Sequence, residues 1–170
     1  MHIKTRTLCA KALVIFSMIA PTSAPRTASA ANVSSFVAHY TTASLSAQEQ
    51  TAGNLLNSDR ARYNLSPLVI DPELCRIARI KSEDMRDNQY FAHTSPTYGG
   101  VHDMLRKFGY SFSSAGENIA HHATIEKAQA AFLASPGHRK NIMNAAYTKA
   151  GVGVAIDEKG YVYLTQIFVR

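Results

Sequence analysis

The sequence is poor in the features that usually announce a function. It has only two cysteines in 170 residues, Cys9 and Cys75. That number excludes a disulfide framework and a four-cysteine zinc site. There is no H-E-x-x-H, G-x-S-x-G, P-loop or C-x-x-C motif, so the common zinc-protease, hydrolase, nucleotide and dithiol chemistries have no signature here. No internal repeat is present, and no apolar run approaches the ~20 residues that a membrane span needs. What is present is a chain of single-domain length, 46% hydrophobic and 18% charged. Such a chain can bury a core.

The formal charge of +6 is unevenly placed. Residues 1–30 carry Lys4, Arg6, Lys11 and Arg26 and no acid. A basic start, the apolar run Ala12 to Ala20 and the small-residue word Ala28-Ser29-Ala30 predict a secretory signal peptide over residues 1–30. The remaining 140 residues then carry a net charge of +2, with no long basic run. Nucleic acid is therefore not an expected partner. The expected mature chain keeps one cysteine, Cys75, among Leu74, Ile77 and Ala78, which suits a buried, inert thiol. It is expected to be secreted, extracellular or periplasmic, and monomeric, with no stable membrane anchor after cleavage.

Residues 31–47, rich in Ser, Thr and Ala, read as a tether or N-terminal arm, and residues 48–170 as one domain. A helix is expected from about Ser46 to Tyr63, because Ser46 and Glu49 form a capping box. A second starts at Asp71, with Pro72 at its first position and Leu74, Ile77, Ala78 and Met85 as its apolar stripe. A third spans about Val101 to Phe108 before Gly109, and a fourth about Thr124 to Ala134. The segments around Glu117 and around Ser135-Pro136-Gly137-His138 read as loops. Gly151 to Ile156, the turn Asp157 to Gly160 and Tyr161 to Val169 read as a β-hairpin. Both faces of the last strand are apolar, so helices are expected on both sides of the sheet. The fold class is α+β, a three-layer α-β-α sandwich with a central antiparallel sheet.

His93, Glu117 and His138 stand out as titratable residues in segments rich in Gly, Pro and Ser. His121 and His122 are adjacent, so in an extended segment they point to opposite faces and do not chelate together. His39 falls in the arm and His102 on a short helix, both expected in solvent. Asn118, Arg139 and Asn141 read as loop-bonding or helix-start residues.

Five words occur in order: Tyr90-Phe91-Ala92-His93-Thr94-Ser95-Pro96, Gly116-Glu117-Asn118-Ile119-Ala120, Ser135-Pro136-Gly137-His138-Arg139-Lys140-Asn141-Ile142-Met143, Gly151-Val152-Gly153-Val154 and Thr165-Gln166-Ile167-Phe168. Over roughly residues 50–168 the chain resembles the bacterial branch of the CAP superfamily, the SCP-like extracellular proteins. The resemblance implies an α-β-α sandwich and a surface cavity lined by two histidines and two acids. His93 and His138 match the histidines and Glu117 one acid. Phe132 fills the aromatic position that places the second acid, so Ser135 stands where animal and fungal members carry a carboxylate.

The set His93, Glu117 and His138 suits a weakly bound divalent metal, zinc above all, or a small ligand or envelope component. The function expected from the resemblance is an extracellular binding or interaction module. Its alternative is a metal-assisted peptidase or cell-envelope hydrolase with Glu117 as base. A weaker variant has Ser135 as nucleophile beside His138. A further alternative has the three side chains clamping their segments together without any ligand.

Overall fold

The computed structural model describes residues 44–170. The expected signal peptide, residues 31–43 of the expected arm, Cys9 and His39 lie outside the described residues.

Helix α1 (Ala47–Arg62) begins at the capping box: the Glu49 amide donates to Ser46 Oγ (3.2 Å) and the Ser46 amide to Glu49 Oε2 (2.8 Å). Asn64, at φ 58°, turns the chain out of it. A short strand, β1 (Val69–Ile70), leads to Asp71, whose carboxylate accepts from the Glu73 and Leu74 amides and caps α2 (Pro72–Asp87). Then come α3 (Val101–Lys107), β2 (Ala115–His122), α4 (Ile125–Ala134, capped by Thr124), α5 (Pro136–Ile142), β3 (Lys149–Ile156) and β4 (Val162–Val169). The stop after α3 is Gly109, at φ 70°. The hairpin turn between β3 and β4 closes on Gly160, at φ 82°.

The sheet order is β1-β3-β4-β2. β4 pairs antiparallel with both β3 and β2, and β1 adds a two-residue parallel pairing to β3. The three long strands are thus antiparallel as expected, and the parallel edge is an addition. Alternate residues of β4 serve different layers. Val162, Leu164 and Phe168 join Leu56, Phe132 and Ile142 in one apolar cluster. Ile167 and Val169 join Leu74, Ile77, Met104 and Leu105 in the other. Helices α1, α4 and α5 therefore cover one face and α2 and α3 the other, which is the three-layer sandwich.

The spacing of α2 from the sheet is set by two glycines on β3. A Cβ on Gly151 would lie 2.3 Å from the Leu74 carbonyl carbon, and one on Gly153 would lie 2.1 Å from that of Ala78. The helix backbone rests directly on the strand backbone, and only glycine leaves room for that. Ser82 adds bonds to the Gly153 carbonyl (2.9 Å) and the Thr165 hydroxyl (2.8 Å).

Three elements depart from the sequence-based expectation. β1 is too short to show a pattern. The segment Ala115–His122, expected as a loop, is a strand because its pairing with β4 buries Glu117 and Asn118 despite their polarity. Ser135-Pro136-Gly137 does end α4, but the chain restarts at once as α5, with Pro136 in the first turn where its missing amide costs nothing.

Candidate functional site

His93 lies in the segment that follows α2, and two side chains of that helix hold the segment in place. Lys81 is fully buried, and its Nζ donates to the Ala92 carbonyl (2.8 Å), the His93 carbonyl (3.1 Å) and the Tyr90 hydroxyl (3.1 Å). Burial pushes the Lys81 ammonium below its usual range, opposed by the charges of Glu117 and Asp84. Asp84 accepts from Ser95 Oγ (2.6 Å), Asn88 Nδ2 (2.8 Å), Thr97 Oγ1 (3.1 Å) and the Tyr90 hydroxyl. Burial alone would raise the Asp84 carboxyl, but these bonds outweigh it and hold the group below its ordinary value. The backbone of His93 is therefore tied down although its ring is largely exposed.

Glu117 reaches the same place from β2. In the register it faces Ile167, so its side chain lies on the α2 side of the sheet, whereas Asn118, opposite Gln166, points to the α5 side. Glu117 Oε1 accepts from His93 Nδ1 at 2.8 Å. The two partners differ in environment, with the His93 side chain 58% exposed and that of Glu117 4% exposed. Glu117 Oε2 is buried and has no hydrogen-bond partner among the described residues. Leaving a buried acceptor unpaired costs about 1–3 kcal/mol, so this oxygen is a place where an incoming donor or cation gains.

His138 comes from the opposite layer. It stands on α5, its ring edge-on to Phe132 (5.2 Å between centroids) and 6.3 Å from the His93 ring. Among the described residues its ring nitrogens carry no hydrogen bond. α5 is held to the outer edge of β2 by two asparagines. Asn118 Nδ2 donates to the His138 carbonyl (3.1 Å), and Asn141 Nδ2 donates to the Glu117 carbonyl (3.1 Å) and Asn118 Oδ1 (2.9 Å). Gly116 lets Tyr147 and Asn141 close over this edge, since a Cβ there would lie 2.6 Å from the Tyr147 hydroxyl oxygen and 3.0 Å from Asn141 Oδ1.

The two imidazoles are pushed apart electrostatically. The Glu117 hydrogen bond raises His93 above the ordinary 6.5, with burial opposing it. Burial, followed by the charge of His93, lowers His138 below 6.5. In the neutral His93 tautomer the proton sits on Nδ1, facing Glu117, and Nε2 keeps its lone pair.

The fold thus brings His93, Glu117 and His138 together from three elements. Ser135 sits at the junction of α4 and α5 with no side-chain cap bond, and among the described residues no hydrogen bond joins its side chain to the other three. The described residues contain no group of three or more His, Cys, Asp or Glu side chains converging on a single ion position. The donor set that remains is two imidazoles, one backed by a buried carboxylate. Neither of two surface cavities, of 920 and 410 Å³, is lined by these residues.

Sequence reasoning missed Lys81, although it interrupts the apolar stripe of α2, and a charged residue in such a stripe is a signal. It also missed the buried amide chain behind Asn118. That chain runs from Asn118 Nδ2 to Gln166 Oε1 (3.2 Å), from Gln166 Nε2 to Gln129 Oε1 (2.7 Å) and from Gln129 Nε2 to Asp59 Oδ2 (2.7 Å). Cys75 is buried, accepts from the Val152 amide (3.3 Å) and is pushed up to about 11 by burial, as suits an inert thiol. Arg139 stacks over the Tyr63 ring at 4.8 Å.

Residues 54–168 match CAP, the cysteine-rich secretory protein family. The uncharacterized protein YkwD of Bacillus subtilis (strain 168) is 46% identical over 127 residues, which are 74% of this chain and 48% of that protein. The 1.5 Å crystal structure of an extracellular SCP-domain protein of Bacillus anthracis aligns at TM-score 0.67 and 40% identity, over 72% of this chain and 40% of the other. An outer surface protein of Borrelia burgdorferi aligns at TM-score 0.66 and 21% identity, over 71% of this chain and 90% of the other, and shares the fold. The chain spans about half the length of YkwD and less of the B. anthracis protein. Among the described residues, no helix is long and apolar enough to cross a membrane.

Proposed function

Because the chain belongs to the cysteine-rich secretory protein (CAP) family, we propose that it is an exported binding domain whose ligand site is formed by His93, Glu117 and His138. The observation that carries this reading is the orphaned, buried Glu117 Oε2 beside a hydrogen-bonded, solvent-exposed His93. These residues fit a divalent cation of the zinc class. His93 and His138 would hold it, and Glu117, accepting from His93 Nδ1, would raise that ligand's basicity. The ion would supply an open coordination position for a small ligand or an envelope component. Two protein ligands are one fewer than catalytic zinc centres ordinarily have, which favours weak binding over turnover. The B. anthracis neighbour is an extracellular protein, which is in keeping with work outside the cell.

Calorimetric titration of zinc chloride at pH 7.5 tests the reading. The wild type is expected to bind weakly. His93→Ala and His138→Ala each lose about tenfold or more, and Glu117→Gln loses about 10–100-fold, the usual effect of removing an outer partner. Binding falls from pH 7.5 to 5.5 because protons compete for the imidazoles. Superimposable titrations for wild type and all three variants would exclude the site.

The competing reading is a metal-assisted hydrolase with Glu117 as base. The same unpartnered Oε2 favours it, since a base needs a free acceptor. Peptide and cell-envelope substrates discriminate: turnover abolished by Glu117→Gln, with folding intact, makes the protein an enzyme.

A further inference from the structure

Among the described residues five large apolar side chains are exposed; two of them, Phe91 (51%) and Tyr161 (45%), stand beside the His121 ring, and a third, Ile156 (42%), lies on the neighbouring strand end. Tyr161, Ile156 and His121 line a 920 Å³ cavity, which the triad does not line, and Phe91 stands outside that lining, 6.4 Å from the His121 ring. The cavity's size is at the upper end of the ~300–1,000 Å³ usual for ligand sites.

The cavity exists because α2 ends before the sheet does. The helix rests on Gly151 and Gly153 and stops at Asp87, whereas the strands run on. The last rungs on that face carry rings in place of a helix. His121 stacks on Tyr163 (4.0 Å, 18° between planes), and Tyr161 (5.6 Å) and Phe91 (6.4 Å) lie tilted beside them.

The platform is built in advance of any ligand. Asp157 Oδ1 accepts the amides of Lys159 (2.9 Å) and Tyr161 (2.8 Å), which fixes the hairpin turn, and Oδ2 bonds His121 Nε2 (3.2 Å), which fixes the ring. Opposite stand planar hydrogen-bonding groups at the end of α2: Arg86, Asp87 and Gln89.

Three properties narrow the occupant. Arg86 and Lys159 are set against Asp87, Asp157 and Glu158, so the lining strongly attracts neither a polyanion nor a polycation. Tyr163 lies on β4, which is paired on both sides, with His121 of β2 and Ala155 of β3, so a peptide cannot add to that strand. Apart from Ile156, the apolar surface is made of aromatic rings in an open groove, without the deep pocket that anchors a protein side chain.

We propose that this groove binds a β-linked pyranose chain. Its C–H faces would stack on Tyr161 and its neighbouring rings, and its hydroxyls would pair with Arg86, Asp87 and Gln89. Equatorial substituents leave both faces of such sugar rings flat and apolar, which is the complement of this platform. The site is separate from the triad and independent of the metal reading.

Titration of the protein with cellohexaose and with hexa-N-acetylchitohexaose, followed calorimetrically, tests this. At least one is expected to bind with Kd on the order of 0.1–1 mM, and the pair together show whether acetamido groups are read. Tyr161→Ala weakens binding about tenfold. Phe91→Ala weakens it less, and both keep the wild-type Tm because the side chains are exposed. The proposal is overturned if neither sugar binds, if both variants keep wild-type affinity, or if a pool of extended octapeptides binds instead with the same dependence on Tyr161.

Discussion

At the scale of single residues, the candidate site is a matter of which neighbour each imidazole has. His93 keeps its proton because Glu117 accepts from it, and His138 sheds its proton because it is buried beside a second positive ring. In a pH titration of the metal-free protein followed by NMR, His93 is expected to titrate above 6.5 and His138 below it. Glu117→Gln should move His93 back toward 6.5; two coincident midpoints in the wild type would contradict the geometry. His93 binds its proton more tightly folded than unfolded, so its contribution to stability is complete below about 6.5 and fades as pH rises through the raised value. His138 contributes above about 6.5 and loses that contribution as pH falls through its lowered value. The identities of His93, Glu117 and His138 were legible from ordered words in the sequence. The absence of a hydrogen bond on Glu117 Oε2 was not, because it depends on atoms from three elements meeting in space.

At the scale of elements, those with local signals were legible and those without were not. The capping box of α1, the Asp71-Pro72 start of α2, the Gly109 stop of α3 and the Gly160 hairpin turn are short-range chemistry, and each appears where the sequence placed it. β2 has no such signal, and the Ser135-Pro136 start of α5 coincides with the end of α4 and makes no side-chain cap bond. β2 is a strand because β4 lies beside it, and α5 is a helix of seven residues held by Asn118 and Asn141. The contact between α2 and β3 gives the sharpest test at this scale. Gly153→Ala puts a methyl 2.1 Å from the helix backbone, where no side-chain rotation relieves it. A loss of about 3 kcal/mol or more is expected in urea unfolding. Gly137→Ala, in α5 with nothing within 4 Å of the new Cβ, should instead gain about 0.5 kcal/mol. Equal effects from the two would show that α2 can lift from the sheet.

At the scale of the whole molecule, two apolar clusters on either side of β4 make one cooperative sandwich. Cys75 reports on that cooperativity. The residue is 1% exposed and its thiol titrates near 11, so it should react with a thiol reagent only when the domain opens as a unit. The expected result is protection of about 10⁴-fold or more over the unfolded chain, set by the global stability. Rapid labelling under native conditions would mean that α2 opens on its own. The sequence by itself determined the layers, most of the helices, the hairpin and the residues of the candidate site, because alternation, caps and turns act over a few neighbours. Only the tertiary structure decided that an edge strand carries Glu117 between two layers, that Lys81 and Asp84 fasten the His93 segment, and that a ring-lined groove opens where α2 ends. Those outcomes come from close packing between distant segments, where the burial of one polar atom depends on partners from 20 to 83 residues away.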